Sequence, residues 1–169
     1  MINEIRRGFN VKRFHTTHRT QEETVGHHSA NVCAIMLRLE PSCSRALILA
    51  ALFHDVAEVY TGDVPAPFKW DNPHIAEGLK QGELEYFRQH NIPAPTEWDE
   101  LHDEDLALLK LADMLDLMLS SLEEVARGNR YAEDLYMNGC KYLAGMPIYK
   151  RYEEKINTML AEVANGSKR

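Results

Sequence analysis

Several features that define other protein classes are missing from this chain of 169 residues. No apolar run approaches the roughly 20 residues that a membrane-spanning helix requires, and residues 1–7 lack the apolar core of a signal peptide. The chain has only three cysteines, Cys33, Cys43 and Cys140, and no Cys-x-x-Cys pair. We therefore expect reduced thiols in the cytoplasm, with Cys33 in the core rather than on a metal.

An excess of positive charge is also missing, since 26 acidic residues outnumber 19 Lys and Arg and give a net charge of -7. Surfaces that bind nucleic-acid polymers are usually basic, so we expect no such partner, although a small basic pocket for one nucleotide is compatible with this charge. Hydrophobic residues make up 44% and charged residues 27% of the chain. Without a repeat or a linker, residues 1–169 are predicted to form one globular domain.

Strand alternation and hairpin signals are missing as well, whereas apolar residues recur at helical spacing almost throughout. The predicted helices cover residues 2–9, 22–39, 45–55, 72–90, 103–127, 131–144 and 148–164. Two prolines and a glycine predict a structured loop over residues 61–67, and residues 10–21 are predicted to be irregular. The expected fold is all-α, a single bundle of about six or seven helices.

Chemistry-bearing residues stand at three places in these predicted helices. An apolar run over residues 46–53 ends in His54-Asp55. His28 and Asp113 each have apolar residues one helical turn before and after them, which puts both on inward faces. Burying such polar side chains costs several kcal/mol unless something compensates for the lost water.

Each of these residues also has an ordinary alternative. A single histidine on an apolar face is more often a hydrogen-bonded core residue, and a buried aspartate is more often a cap or an ion-pair member. Because the residues come from three different helices, a shared divalent cation such as Zn, Mn, Co or Mg explains all of them together. Asp116, one turn beyond Asp113, is a candidate acceptor behind a metal ligand.

Two motifs carry a resemblance to a known superfamily. The order His28, His54-Asp55, Asp113 resembles the H…HD…D signature of the HD-domain metal-dependent phosphohydrolases. Residues 58–69 resemble the E-V-x-T-G-D-x-P-x-P-x-K run of the bacterial 5′-deoxynucleotidases within that superfamily.

The resemblance covers about residues 12–127. Arg13-Phe14 is similar to the Arg-Trp pair of the deoxynucleotidases, with phenylalanine in place of tryptophan. The short chain also resembles the phage dATP triphosphohydrolases of the DatZ type. For a phage-encoded enzyme, the expected compartment becomes the host cytoplasm.

The resemblance and the chemistry of these positions imply a role for each residue. The implied metal ligands are His28, His54, Asp55 and Asp113. Glu58, one helical turn beyond His54, is the implied general acid/base, with a surface glutamate as the alternative. Asp63 is the implied acceptor for a sugar 3′-hydroxyl, with a turn-capping aspartate as the alternative.

An acidic protein that binds a phosphate group needs local positive charge. The candidate cations are Arg13, Lys69 and Lys110, although any one of them alone is more typical of a solvated surface. Phe14 and Trp70 are candidates for stacking on the base, with core packing as the alternative.

The predicted activity is a metal-dependent hydrolysis of 2′-deoxynucleotide 5′-phosphates. Chain length and the three separate cations favour a dATP triphosphohydrolase that releases deoxynucleoside and triphosphate. The alternative is a 5′-deoxynucleotidase that converts a monophosphate to deoxynucleoside and phosphate. A non-catalytic nucleotide-binding module and a structural helical protein are the alternatives from other classes. Apolar residues in the last predicted helix also lead us to expect a homo-oligomer.

Overall fold

A computed structural model describes residues 1–94 and 101–166, apart from the side chain of Trp70. Nine α-helices lie in this part of the chain: α1 (Ile2–Phe9), α2 (Val25–Leu39), α3 (Arg45–Phe53), α4 (Glu58–Thr61), α5 (Ala66–Asp71), α6 (Pro73–Gln89), α7 (Asp103–Ala126), α8 (Glu133–Ala144) and α9 (Tyr149–Gly166). Between its described residues the chain forms no strand, only an isolated bridge from Lys12 to Thr24. The all-α prediction is confirmed.

The two helices beyond the predicted number are the short ones, α4 and α5. The prediction of a structured, non-helical loop over residues 61–67 was wrong at both ends, because Thr61 ends α4 and α5 begins at Ala66. Pro67 is the second residue of α5, where a missing N–H breaks no helical hydrogen bond. Gly62, with φ of 75°, adopts the left-handed conformation that glycine tolerates and separates the two helices.

The ends of α2 and α3 determine where the histidines stand. Helix α2 begins three residues later than predicted, because the Thr24 hydroxyl caps it by accepting a hydrogen bond from a backbone N–H. Ser44 caps α3, as predicted. Helix α3 ends at Phe53, so His54 is its C-cap and Asp55 lies in the following turn rather than on the helix.

Helix α7 is the centre of the larger core, with α2, α3, α8 and α9 packed around it. Fully buried side chains of this core include Met36, Leu47, Leu111, Leu115 and Ile156. Each such side chain contributes about 1.5–3 kcal/mol by leaving water. The core therefore fixes the rotation of α7, and with it the direction of the polar side chains on that helix.

A smaller apolar cluster joins α1, α6 and the turn that follows Asp55. A Cβ atom at Gly8 of α1 would lie 2.5 Å from the carbonyl oxygen of Val56, so only glycine permits this approach. The contact holds the turn close to its neighbours. Of the helices in the described residues, none combines the length and the apolar character needed to cross a bilayer.

Candidate metal and phosphate site

The four predicted metal ligands come together around His28. Its Nε2 atom lies 3.2 Å from Nε2 of His54, 3.4 Å from Oδ2 of Asp55 and 3.2 Å from Oδ1 of Asp113. His54 Nε2 lies 3.3 Å from the same Asp55 oxygen. Donor atoms bound tetrahedrally at about 2.0–2.2 Å from one zinc ion are separated by similar distances. The donor atoms of His28, His54 and Asp55 all lie within 4.8 Å of one another and fit a divalent cation, and Asp113 adjoins this group through its contact with His28.

Both imidazole rings are oriented by hydrogen bonds on their far side. Nδ1 of His28 donates to Asp116 at 2.7 Å, and Nδ1 of His54 donates to the backbone oxygen of Ala51 at 2.8 Å. Because Nδ1 of each ring makes these bonds, Nε2 of each ring faces the cluster and is the atom that would bind a cation. Burial lowers the pKa of His28, but its hydrogen bonds, first that to Asp113, raise it well above its ordinary value.

The carboxylates of the cluster are ionised. Burial opposes their charge, yet His54 and His28 beside Asp55, and Lys110 beside Asp113, lower the pKa of both aspartates. Two negative charges and two imidazoles at this spacing form a site that a cation stabilises.

A pocket of about 430 Å³ opens beside this cluster. Its lining includes eight residues that the sequence predicted for the site: Arg13, Phe14, Asp55, Glu58, Asp63, Lys69, Lys110 and Asp113. The sequence did not indicate its apolar wall, formed by Met114, Leu117, Leu135 and Tyr142. Helical spacing shows that an apolar residue faces inward, but it does not show whether that residue packs in the core or lines a pocket. The predicted stacking role of Trp70 lies outside the described side chains.

Glu58 lies in the first turn of α4 and is buried, with 6% of its surface exposed. Its Oε2 atom has no hydrogen-bond partner among the described residues. Burial, followed by the charges of Asp55 and Asp63, raises the pKa of Glu58 to about 9. At neutral pH this side chain carries a proton and can donate it into the pocket.

The backbone N–H of Phe14 donates a hydrogen bond to the side-chain oxygen Oδ2 of Asp63 at 2.9 Å. Phe14 has a φ of 56°, a left-handed conformation that costs about 1–2 kcal/mol for a residue with a Cβ atom. The guanidinium of Arg19 lies over its ring, 4.3 Å from the centroid. Phe14 thus forms a fixed aromatic wall of the pocket.

The three predicted cations differ in how they are paired. Arg13 donates to Asp55 and Lys110 to Asp113, at 3.1 and 2.7 Å. Lys69 lines the pocket without an ion pair to another described residue. Two of the three positive charges are therefore already partly balanced.

Sequence reasoning missed Glu23, which pairs with Arg13, and Glu124, which accepts hydrogen bonds from Thr20 and Asn129. Glu23 was predicted to lie in the helix over residues 22–39, but it stands in irregular chain before α2, so the predicted helical spacing did not show which way its side chain points. Glu124 is buried on α7, and its place on the inward face of the predicted helix over residues 103–127 was the signal that the sequence offered.

This helical bundle brings a histidine, a His-Asp pair and an aspartate together beneath a pocket with cationic side chains. The arrangement is that of the HD-type phosphohydrolases. The sequence model of the YfbR-like family, described as 5′-deoxynucleotidase YfbR-like, matches residues 2–160. The chain belongs to this family.

The chain is also similar to individual proteins in sequence or in fold. The chain is 31% identical over 138 aligned residues to the 5′-deoxynucleotidase yfbR of Photorhabdus temperata, with 70% of each chain covered. An HD-domain phosphohydrolase from Listeria innocua has the same fold, with a TM-score of 0.72, 20% identity and coverage of 98% of this chain and 87% of that one. The HD phosphohydrolase DatZ of cyanophage S-2L, solved with dA and one catalytic Zn²⁺ ion, also has a TM-score of 0.72, at 18% identity, covering 98% and 97%.

Proposed function

We propose that this HD-type deoxynucleotide phosphohydrolase is a metal-dependent 5′-deoxynucleotidase. It would convert 2′-deoxynucleoside 5′-monophosphates to deoxynucleoside and inorganic phosphate. The observation that carries the proposal is the convergence of three donor atoms within 3.4 Å of His28 Nε2, in a chain of the YfbR-like family.

The metal is held by His28, His54, Asp55 and Asp113 in this proposal. Zinc is the first choice, because the DatZ relative was solved with a catalytic Zn²⁺ ion, and Co, Mn and Mg are alternatives for such ligands. When bound, a divalent cation lowers the pKa of water towards about 7 and withdraws charge from phosphate oxygens.

Glu58 is the general acid of the proposed reaction. As the bond between phosphorus and O5′ breaks, protonated Glu58 donates its proton to O5′, and the oxygen of water forms the new bond to phosphorus. The proton that this water releases restores the acid form of Glu58. The raised pKa of Glu58 and its buried oxygen without a described partner support this role.

Charge balance favours a monophosphate over the triphosphate that chain length and the three separate cations had suggested. The pocket is lined by four carboxylates and three cationic side chains. A divalent cation and a proton on Glu58 bring the site to about two positive charges, which complement the dianion of a monophosphate. A triphosphate tail carries more negative charge than this set balances. The name of the YfbR-like family also supports the monophosphate.

Arg13, Lys69 and Lys110 contact the phosphate in this proposal, with Arg13 supplying a planar fork. Asp63 accepts a hydrogen bond from the 3′-hydroxyl, and Phe14, fixed against Asp63, shapes the space beside the sugar. The base then lies against the apolar wall of the pocket.

A product analysis tests the proposal. We expect the zinc- or cobalt-loaded protein to release phosphate from dAMP and other deoxynucleoside monophosphates, and much less from AMP. Asp113→Asn removes a ligand charge and should abolish turnover, whereas Asp103→Asn, an exposed aspartate of the same helix, should not. Release of triphosphate from dATP without turnover of dAMP would overturn the proposal in favour of the triphosphohydrolase.

The homo-oligomer and the cytoplasmic compartment stay predictions. The three cysteines are free thiols, which supports a reducing compartment.

A further inference from the structure

We propose that Glu23 is a positioning residue that aims the guanidinium of Arg13 at the substrate phosphate. The inference rests on the proposed function, because it assumes that Arg13 contacts phosphate. Sequence motifs gave Glu23 no role, and the proposed reaction does not use it directly.

Arg13 lies between two carboxylates. Its Nε donates to Oε1 of Glu23 at 3.1 Å, and its Nη1 donates to Oδ2 of Asp55 at 3.1 Å. The side chains of Arg13 and Glu23 are both largely buried, 10% and 12% exposed. An arginine has five N–H donors, so these two bonds leave three for an anion in the pocket.

Glu23 is itself fixed from behind. Its second oxygen, Oε2, accepts hydrogen bonds from the hydroxyl of Ser120 at 2.7 Å and from Nη2 of Arg19 at 3.4 Å. Arg19 and Ser120 are also hydrogen-bonded to each other. The carboxylate that holds Arg13 is therefore anchored to α7, so little freedom remains to be lost when phosphate binds.

Asp55 alone would not aim Arg13 in this way. Asp55 belongs to the proposed metal cluster, and a guanidinium bonded only to it is free to turn about that single contact. The second bond, from Nε to Glu23, fixes the plane of the fork. Glu23 thereby separates the two tasks, leaving Asp55 to the metal and Arg13 to the phosphate.

The path of the backbone does not depend on the Glu23 side chain. The N–H of Arg13 donates to the backbone oxygen of Glu23, and the N–H of Val25 donates to that of Val11, both at 2.9 Å. These bonds remain when the carboxylate is replaced. Positioning can therefore be tested apart from folding.

The test compares Glu23→Gln, Arg13→Ala and the double variant, all metal-loaded, with Glu22→Gln as the matched control. Glu22 is the exposed neighbour and pairs with Lys12. We expect Glu23→Gln to raise the KM for dAMP and the inhibition constant of inorganic phosphate on the order of tenfold, because the amide lacks the charge that strengthens the hydrogen bond to Arg13. The kcat should change much less, and Glu22→Gln should match the wild type.

The double variant distinguishes positioning from a merely structural role. If Glu23 acts through Arg13, Glu23→Gln adds no further loss in the Arg13→Ala background. The inference would be overturned if the losses of the two single variants multiplied in the double variant. It would also be overturned if Glu23→Gln bound phosphate as the wild type does while Arg13→Ala bound it more weakly. Ser120→Ala, which frees Glu23 from behind, gives a second test and should weaken phosphate binding in the same direction, by a smaller factor.

Phosphate binding is also measured by calorimetry on the metal-loaded protein, without turnover. The absence of dAMP hydrolysis in the wild type would therefore count against the proposed function, while the Glu23 comparison would still be decided by phosphate affinity.

Discussion

At the residue scale, the carboxyl groups of the pocket differ in charge. Burial and two neighbouring aspartates keep Glu58 protonated, with its pKa raised to about 9, whereas nearby cationic groups hold Asp55 and Asp113 ionised. Groups of the same chemical type with pKa values pushed apart divide acid and ligand roles between them. This difference in environment supports the proposed role of Glu58 as the proton donor.

Glu58→Gln tests this division. The amide keeps the shape of the side chain but cannot donate an acidic proton, so we expect kcat for deoxynucleotide hydrolysis to fall by about 100- to 10,000-fold. The KM and the zinc content should change little. Glu77→Gln, at an exposed glutamate of α6, is the control. A Glu58→Gln protein with wild-type kcat would show that the proton comes from elsewhere.

Inward-facing residues within regular helices were predictable one by one. Asp113 has leucines one turn away on each side, and that spacing placed it correctly. Glu23 was placed in the predicted helix over residues 22–39, but it stands in irregular chain just before α2, so helical spacing gave no guide to its side chain. Its partners, Arg13 and Ser120, are 10 and 97 positions away in the sequence, and a single sequence carries no record of such pairings.

At the element scale, α7 contributes Asp113 to the candidate metal cluster and also anchors irregular chain. Asp113 and Asp116, three residues apart, contact opposite nitrogens of His28. Near the end of the same helix, Glu124 accepts hydrogen bonds from the backbone N–H and hydroxyl of Thr20, at 2.7 and 2.6 Å. The segment that carries Arg13 and Phe14 is thereby fastened to α7.

The charge of Glu124 gives a pH prediction for stability. Burial opposes ionisation, but hydrogen bonds from Thr20 and Asn129 lower the pKa of Glu124 to about 2, against about 4.3 in an unfolded chain. Because the folded value is the lower one, ionised Glu124 stabilises the fold above the unfolded pKa. We expect a contribution of about 3 kcal/mol at neutral pH, lost as the pH falls from about 5 to about 2.

Urea unfolding of the wild type and Glu124→Gln at several pH values measures this contribution. The gap in unfolding free energy should be widest at neutral pH and should narrow as the solution becomes acidic. Glu123→Gln, at the exposed neighbour that pairs with Arg127, should leave stability nearly unchanged at every pH. A gap that stays constant with pH would contradict the assignment.

Helix ends were less predictable than helices. The Ser44 cap was found because its hydroxyl precedes an apolar run, a purely local signal. Helix α4 was missed because a single turn is too short to show a period. Pro65 and Pro67 were interpreted as breakers, although a proline at the first turn of α5 costs no hydrogen bond.

At the scale of the whole molecule, the candidate metal cluster joins distant parts of the chain. His28 comes from α2, His54 and Asp55 from the end of α3, and Asp113 from α7. A cation bound by all of them would bind the folded state and not the unfolded one, and so stabilise the fold. The packing of the helices brings these four residues together. The sequence predicted only that each residue lies on the inward face of its own helix.

Removal of the metal should therefore lower thermal stability. With metal at about 100 times its dissociation constant, we expect a chelator to lower Tm by about 5–10 °C, and added zinc to restore it. In Asp113→Ala the same treatment should have a much smaller effect. Identical melting curves for the wild type with and without chelator would argue against a bound cation.

The left-handed backbone at Phe14 sets thermostability against activity. Phe14→Gly would remove the strain while keeping the N–H that contacts Asp63, and it would also remove an aromatic wall of the pocket. Selection for heat resistance alone would tend to accept that change, whereas selection for turnover would reject it. A laboratory evolution experiment on this protein therefore needs both pressures at once if the pocket is to keep its shape.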